Sequence, residues 1–196
     1  AQPDLVVMDR DENPKSVHDW CVANGLPTFV CDVRHPRDVP LMLRELGQAV
    51  NRSEAAEVHA RAIEAMLRRA PDTNGRTALP LIWHRPLMAA NGTTYAGNML
   101  ACLGFNVPNI EPDGTGYPEV SPEIILQHGV TDVFLSSEPH EFTDEESGSL
   151  SEAFGNLTAT PPRIHFIDGE DLTWMGSRTA EALQRLGERL NRVHLE

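Results

Sequence analysis

The chain has 196 residues, of which 40% are hydrophobic and 23% are charged. This composition is typical of a globular protein, and the length allows one large domain or two small lobes. With 29 acidic against 16 basic residues the formal net charge is -13, which argues against nucleic acid or an anionic membrane surface as a partner, because phosphate binding needs a basic face. No apolar run approaches the roughly 18–20 residues that span a bilayer, so we expect no membrane insertion, and we recognise no signal peptide in this chain.

The N-terminal part predicts one β-α-β unit. Residues 3–9 and 27–33 are apolar and predict two strands. Between them a helix is predicted to begin at Asn13 and to end before Gly25. So short a crossover favours parallel pairing of the two strands.

Two helices are predicted to follow this unit. Asp38 is the predicted N-cap of the first helix, with Pro40 in its first turn, and apolar residues then recur at helical spacing. A break at 51–52 and a new cap at Ser53 lead into a second helix, which is predicted to run to about Ala70.

Strands and helices alternate from residue 77 onward. The predicted strands are 77–83, 105–107, 132–137 and 163–167, and the predicted helices are 94–103, 121–128, 145–154 and 177–192. This alternation predicts a parallel sheet that is covered on both faces. The chain is therefore predicted to be an α/β protein with a partial N-terminal lobe (1–36), a helical segment with a backbone helix (37–72) and a C-terminal α/β lobe (76–196).

The loops after the predicted strands carry the candidate ligand-binding residues. In open α/β sheets, ligands bind outside the carboxyl ends of the strands. The candidates that share this placement are Trp83, His84, Arg85 and Met88 in one loop, Glu138 and His140 in a second, and Asp168 and Trp174 in a third. Several such loops at one rim predict a cleft.

Each candidate also has a purely structural interpretation. Either tryptophan could be a core aromatic whose indole N–H meets a carbonyl, and the two histidines could be surface residues. The pair Asp168-Gly169 suits a tight turn without any ligand.

Common enzyme motifs are absent from the sequence. It contains no P-loop, no GxGxxG after a strand, no HExxH and no GxSxG, which favours binding over catalysis. His84, His140 and Glu138 could still be recruited to a metal, although their spacing matches no tight ligand pattern.

Three segments resemble the class III periplasmic binding proteins, the helical-backbone receptors for cobalamin, iron-siderophores and haem. They are LIWHRPLMAANGTTYAGNMLACLGFNV (81–107), YPEVSPEIILQHGVTDVFLSS (117–137) and PDLVVMD (3–9). The similarity covers nearly the whole chain and looks closest to the helical-backbone metal receptors related to the vitamin B12 binders. The order of the motifs is more specific than any one of them.

The resemblance implies two lobes with parallel sheets, joined by a long backbone helix, and a ligand between the lobes. It also implies that the first lobe is truncated here, since the family normally has further N-terminal residues before PDLV. Leu87 or Met88 stands where the family has a second aromatic residue, and His84 precedes the basic Arg85.

The resulting hypothesis is a non-enzymatic receptor, without a cofactor of its own, for a bulky metal-bearing ligand such as a corrinoid (cobalamin), an iron-siderophore or haem. Trp83 and Trp174 would stack on the ligand, and His84, Arg85, Glu138 and Asp168 would bind its polar groups. An ABC-type permease as partner, and the periplasm or cell surface as compartment, are implied by the resemblance alone. Without a recognised signal peptide the cytoplasm stays open.

Two alternatives come from other functional classes. One is a metal-dependent enzyme or chelatase-like protein that uses His84, His140 and Glu138. The other is an interaction module without a ligand, which would form a homo-oligomer through the open edge of its first lobe.

Overall fold

The computed structural model describes residues 3–68, 75–111 and 113–193. In these ranges the elements are, in chain order, β1 (Val6–Asp9), α1 (Lys15–Ala23), β2 (Thr28–Cys31), a 3-10 helix (Pro36–Asp38), α2 (Val39–Ala49), α3 (Ser53–Leu67), β3 (Ala78–Trp83), β4 (Met88–Ala89), α4 (Tyr95–Cys102), α5 (Pro122–Gln127), β5 (Asp132–Ser136), α6 (Asp144–Leu157), β6 (Arg163–Ile167), α7 (Gly169–Thr173) and α8 (Thr179–Val193). No helix in the described part of the chain is both long and apolar enough to cross a membrane.

The first lobe is the predicted β-α-β unit. Strands β1 and β2 pair in parallel, from Val6 opposite Thr28 to Asp9 opposite Cys31, which confirms the parallel pairing. Packing over this two-stranded sheet is incomplete. Val7 on β1 is 50% exposed and Trp20 on α1 is 60% exposed.

Helices α2 and α3 connect the two lobes as an antiparallel pair. The break between them is confirmed, and Asn51 adopts a left-handed backbone conformation there (φ 54°). The helices pack closely because Gly47 has no side chain, since a β-carbon at that position would collide with Ala56. The predicted end of the second helix at Ala70 lies outside the described residues.

Asp38 occupies the predicted N-cap position of α2, with Pro40 in the first turn, whereas the predicted cap at Ser53 is wrong because Arg52 is the N-cap residue of α3. The 3-10 turn Pro36–Asp38 leads directly into α2, so Asp38 already has helical dihedrals and makes no capping bond. The ring of His35 caps that turn instead, by accepting a hydrogen bond from the amide of Arg37 at 3.0 Å. Ser53 is the first residue of α3 and likewise makes no capping bond.

The second lobe has a four-stranded sheet in the order β4-β3-β5-β6. Strands β3, β5 and β6 are parallel, and the short β4, which the sequence analysis missed, is antiparallel to β3. The predicted strand 105–107 is wrong. It forms a single bridge between Asn106 and Thr77, and Pro108 soon follows, which has no N–H to continue a ladder.

Both faces of the second sheet are buried, as the strand–helix alternation predicted. One face packs against α5 and α6 in a cluster that includes Leu79, Leu81, Val133, Leu135, Ile125 and Phe154. The other face packs against α3, α4 and α8 in a cluster that includes Ala78, Phe134, Ile167, Ile63, Met99 and Leu186. Helix α3 therefore contributes to the core of the second lobe and also connects that lobe to the first.

A buried carboxylate closes the amino-terminal end of the second sheet. Asp132 is 0% exposed and accepts hydrogen bonds from Arg76 and Arg163, with the ring of His165 2.9 Å away. Burial alone would raise the pKa of Asp132, but the hydrogen bonds from His165, Arg76 and Thr131 together hold it well below its ordinary value. The charge is thus paired where solvent cannot reach it.

Replacing Asp132 by Asn is expected to lower the free energy of unfolding by about 3 kcal/mol, because the nearly buried Arg76 then loses the charge of the Asp132 carboxylate. Since the pKa of Asp132 is depressed on folding, its contribution is fully present above its ordinary pKa of 3.8 and is lost as the pH falls below that value. Denaturant unfolding at neutral and acidic pH measures both effects.

The matched control is Asp19→Asn. Asp19 pairs with Lys15 at the surface, at 2.8 Å and with 55% of its side chain exposed, so its loss should leave unfolding nearly unchanged. Equal effects of the two substitutions would contradict the structural role of Asp132.

Candidate functional site

A cavity of about 1130 Å³ opens between the two lobes. Each wall is the carboxyl end of a sheet, which is where parallel strands present their loops. From the first lobe the cavity is lined by Asp9, Arg10, Asp11, Glu12, Cys31, Asp32 and Val33. From the second lobe it is lined by Ile82, Trp83, Met88, Ala90, Tyr95, Ala96, Thr115, Tyr117, Glu138, Pro139, Thr173, Trp174 and Met175. We call this cavity the cleft.

Trp83 and Trp174 both lie on the second-lobe wall of the cleft. They are 40% and 51% exposed, so neither is a core residue. Both indole N–H groups are nevertheless satisfied: that of Trp83 donates to the carbonyl of Arg85 at 3.1 Å, and that of Trp174 donates to Oε2 of Glu138 at 2.8 Å. The polar edge of each ring is therefore fixed while much of its apolar surface stays open.

A part-buried ion pair contacts the ring of Trp174. The guanidinium of Arg178 lies 5.3 Å from the Trp174 ring centroid and donates to Asp171 at 3.1 Å. Asp171 is 3% exposed and also accepts from Arg185, and this hydrogen bond is the main cause of its lowered pKa. The chain of contacts runs from α8 through Asp171 to the tryptophan at the rim.

The loop after β6 is a short helix, not the tight turn expected at Asp168-Gly169. Asp168 is the N-cap of α7 and accepts from the amide of Asp171 at 3.2 Å. Gly169 is required because a β-carbon there would lie 2.6 Å from the amide nitrogen of Glu138. Asp168 thus shapes the rim, but it does not line the cleft.

His84 and His140 form a separate cluster beside Trp83. Their rings stack with centroids 5.8 Å apart, and both face Glu146, at 3.6 and 3.1 Å. Glu146 completes a capping box with Thr143 at the start of α6. The backbone hydrogen bond from Thr143, together with His140, lowers the pKa of Glu146 to about 2.

This geometry does not assemble the metal site considered from the sequence. Glu138 bonds to Trp174, while His84 and His140 face Glu146 instead. Among the described residues no group of three His, Cys, Asp or Glu side chains is arranged to hold a metal ion. Of the eight candidates, Trp83, Met88, Glu138 and Trp174 line the cleft, and Arg85 contributes its backbone carbonyl.

Sequence reasoning missed the first-lobe wall of the cleft. Asp9 ends β1 and Asp32 directly follows β2, so the rule that located the second-lobe loops would have found them. The predicted strand 27–33 extends two residues beyond the end of β2, so it places Asp32 inside the strand and not in the loop that follows it. Tyr117 comes from the segment before α5, which follows no strand.

Comparison with known proteins gives the fold. No family model matches the chain, and no curated protein matches it by sequence. Solved structures do match. The periplasmic vitamin B12 binding protein BtuF of Vibrio cholerae superposes with a TM-score of 0.74 at 13% identity, covering 99% of this chain and 76% of that one.

Two further structures bind other ligands. A periplasmic heme binding protein from Pseudomonas aeruginosa has a TM-score of 0.72 at 18% identity, covering 94% of this chain and 71% of that one. The siderophore periplasmic binding protein of Thermobifida fusca has a TM-score of 0.64 at 20% identity, covering 97% and 75%. The chain therefore has the fold of the class III periplasmic binding proteins, as its motifs predicted.

The anchoring of Trp174 by Glu138 can be tested in a Trp20→Phe/Trp83→Phe background, where Trp174 is the remaining tryptophan. Glu138→Ala should lower the steady-state fluorescence anisotropy of Trp174 and raise its acrylamide quenching constant, because the indole N–H loses its acceptor. Glu141→Ala removes a nearby exposed glutamate and should change neither quantity. Unchanged anisotropy in Glu138→Ala would show that the hydrogen bond does not fix the ring.

Proposed function

We propose that this protein is a non-enzymatic receptor for a bulky metal-bearing ligand, with a corrinoid as the leading candidate, and that the ligand occupies the cleft. The observation that carries the proposal is the cleft itself, with two exposed tryptophans on one wall. Its volume of about 1130 Å³ exceeds the roughly 300–1,000 Å³ that is usual for small-molecule pockets. A large, partly apolar ligand fits this space best.

The two tryptophans support a flat ligand in particular. Each indole offers apolar surface whose burial is favourable by about 25 cal/mol per Å², and stacking adds about 0.5–1.5 kcal/mol. Because Arg85 and Glu138 already hold the two indole edges, little freedom remains to be lost when a ligand binds. A macrocycle or planar chelate would use both features.

The polar lining would bind the periphery of such a ligand. Tyr117 and Thr115 on the second lobe offer hydroxyl groups, and the carboxylates of the first lobe accept hydrogen bonds from amides. His84, His140 and Asp168, which were expected to touch the ligand directly, instead support the rim in this proposal. Their contacts are with Glu146 and with the backbone of α7.

The fold supports a partner and a compartment for this proposal. The similar structures are periplasmic binding proteins, and a further similar structure is an ABC transporter substrate-binding protein from Listeria monocytogenes. These names support delivery of the ligand to an ABC permease, outside the cytoplasmic membrane, as the role of this chain.

Trp174→Ala is expected to weaken the binding of aquacyanocobinamide about tenfold, because one stacking platform is lost. Isothermal titration calorimetry measures the affinity without depending on tryptophan fluorescence. Trp20→Ala is the matched control, since Trp20 is 60% exposed on α1 and does not line the cleft. Equal losses in the two variants, or no heat with cobinamide and cobalamin at tens of micromolar, would contradict corrinoid binding in the cleft.

A further inference from the structure

The walls of the cleft are mainly acidic, so they do not suit an anionic ligand. Five carboxylates line it, those of Asp9, Asp11, Glu12, Asp32 and Glu138, and one guanidinium, that of Arg10. Four of the five carboxylates come from the first lobe, opposite the two tryptophans. The ligand would therefore lie between an acidic wall and an aromatic wall.

Two arginines offset part of this charge. Arg10 pairs with Asp32 at 2.5 Å. Arg34, just outside the lining, approaches Asp11 at 3.4 Å and Asp32 at 3.5 Å. With five carboxylates against two guanidinium groups, the cleft keeps a net charge of about minus three at neutral pH.

The remaining carboxylates have no cationic partner in the described part of the chain. The carboxylate of Asp9 accepts hydrogen bonds from the backbone amides of Asp11 and Glu12, at 2.9 and 3.2 Å. The carboxylate of Glu138 accepts a hydrogen bond from the indole N–H of Trp174. Glu12 makes no side-chain hydrogen bond or ion pair with any described residue and is exposed. These bonds are to neutral donors, so the charges persist.

The electrostatic field of the first-lobe carboxylates extends across the cleft to the second lobe. The hydroxyl of Tyr117, on the second lobe, donates to Asp11 on the first at 3.4 Å. Burial first, and then the charge of Asp11, raise the pKa of Tyr117 to about 12. Apolar walls such as Val33, Ile82 and Met175 strengthen this field, because a concave site with low-dielectric walls focuses it.

We infer that the cleft selects cationic metal complexes over anionic ones, an inference that rests on the proposed receptor function. A complex with a net positive charge gains attraction from the acidic wall and can also interact with the tryptophan faces by cation–π contacts. A complex that carries carboxylates or catecholate oxygens outward would meet like charges on the first-lobe wall. Charge, more than shape, then separates the ligands that a cleft of this size could hold.

Corrinoids of one skeleton and different charge test this directly. Aquacyanocobinamide is a cation, dicyanocobinamide is uncharged, and cobyrinic acid carries carboxylates in place of the side-chain amides. At low ionic strength the cation should bind about two- to fivefold more tightly than the uncharged form, and cobyrinic acid should bind most weakly. The preference should shrink in high salt, because screening weakens exposed charges.

The variant Glu12→Gln tests whether the preference for the cationic corrinoid arises in the cleft. It removes one of about three uncompensated charges, so it should reduce the preference for the cation about 1.3- to 1.7-fold while leaving the affinity for dicyanocobinamide unchanged. Glu152→Gln, at an exposed position of α6 outside the cleft, is the matched control and should keep the full preference. Thermal melting of both variants checks that the fold is retained.

The possible outcomes distinguish failure of the charge inference from failure of the receptor function. If cobinamides bind in the cleft but cobyrinic acid binds as tightly, or if Glu12→Gln keeps the full preference, the charge inference is wrong and the receptor function stands. If no corrinoid binds, the same comparison is made with ferrioxamine B, a cationic iron hydroxamate, and its uncharged N-acetyl form. Binding of neither class would overturn both the receptor function and the inference.

Discussion

The second sheet is buried on both faces, and this constraint decides where the protein can interact with a ligand. Helices α5 and α6 cover one face, and α3, α4 and α8 cover the other, so access is left at the ends of the strands. The amino end is closed by Asp132 with Arg76 and His165. The carboxyl end stays open and faces the carboxyl end of the first sheet, which makes the cleft a consequence of parallel topology.

The two walls of the cleft have different physical characters. On the second lobe, Trp83 and Trp174 are positioned by hydrogen bonds at their indole edges, and Asp171 supports Trp174 through Arg178. On the first lobe, short turns present carboxylates with few cationic partners. A rigid apolar wall gives affinity for a flat ligand, whereas an acidic wall discriminates by charge. Under the proposed function, the two walls together would let the protein distinguish metal complexes of similar size.

Much of this architecture could be predicted from the sequence, for reasons that are local. Strand β5 contains an uninterrupted apolar run at 133–135, and helices α4, α5 and α6 have caps at Thr94, Ser121 and Thr143. What could not be predicted depended on tertiary contacts. The cap predicted at Ser53 is wrong by one residue, since Arg52 holds the N-cap position of α3 without a capping bond, and α7 was missed because five residues carry little periodicity. The pairing of His84 and His140 with Glu146 joins two distant loops that sequence spacing does not reveal.

The most direct test of ligand binding in the cleft is a ¹⁵N-¹H spectrum of the three indole N–H groups, assigned by single Trp→Phe substitutions. Addition of saturating aquacyanocobinamide should shift the resonances of Trp83 and Trp174, because both rings line the cleft. The resonance of Trp20, on the outer surface of α1, should stay in place. A shift of Trp20 alone, or no shift of any indole, would contradict the placement of the ligand between the two lobes.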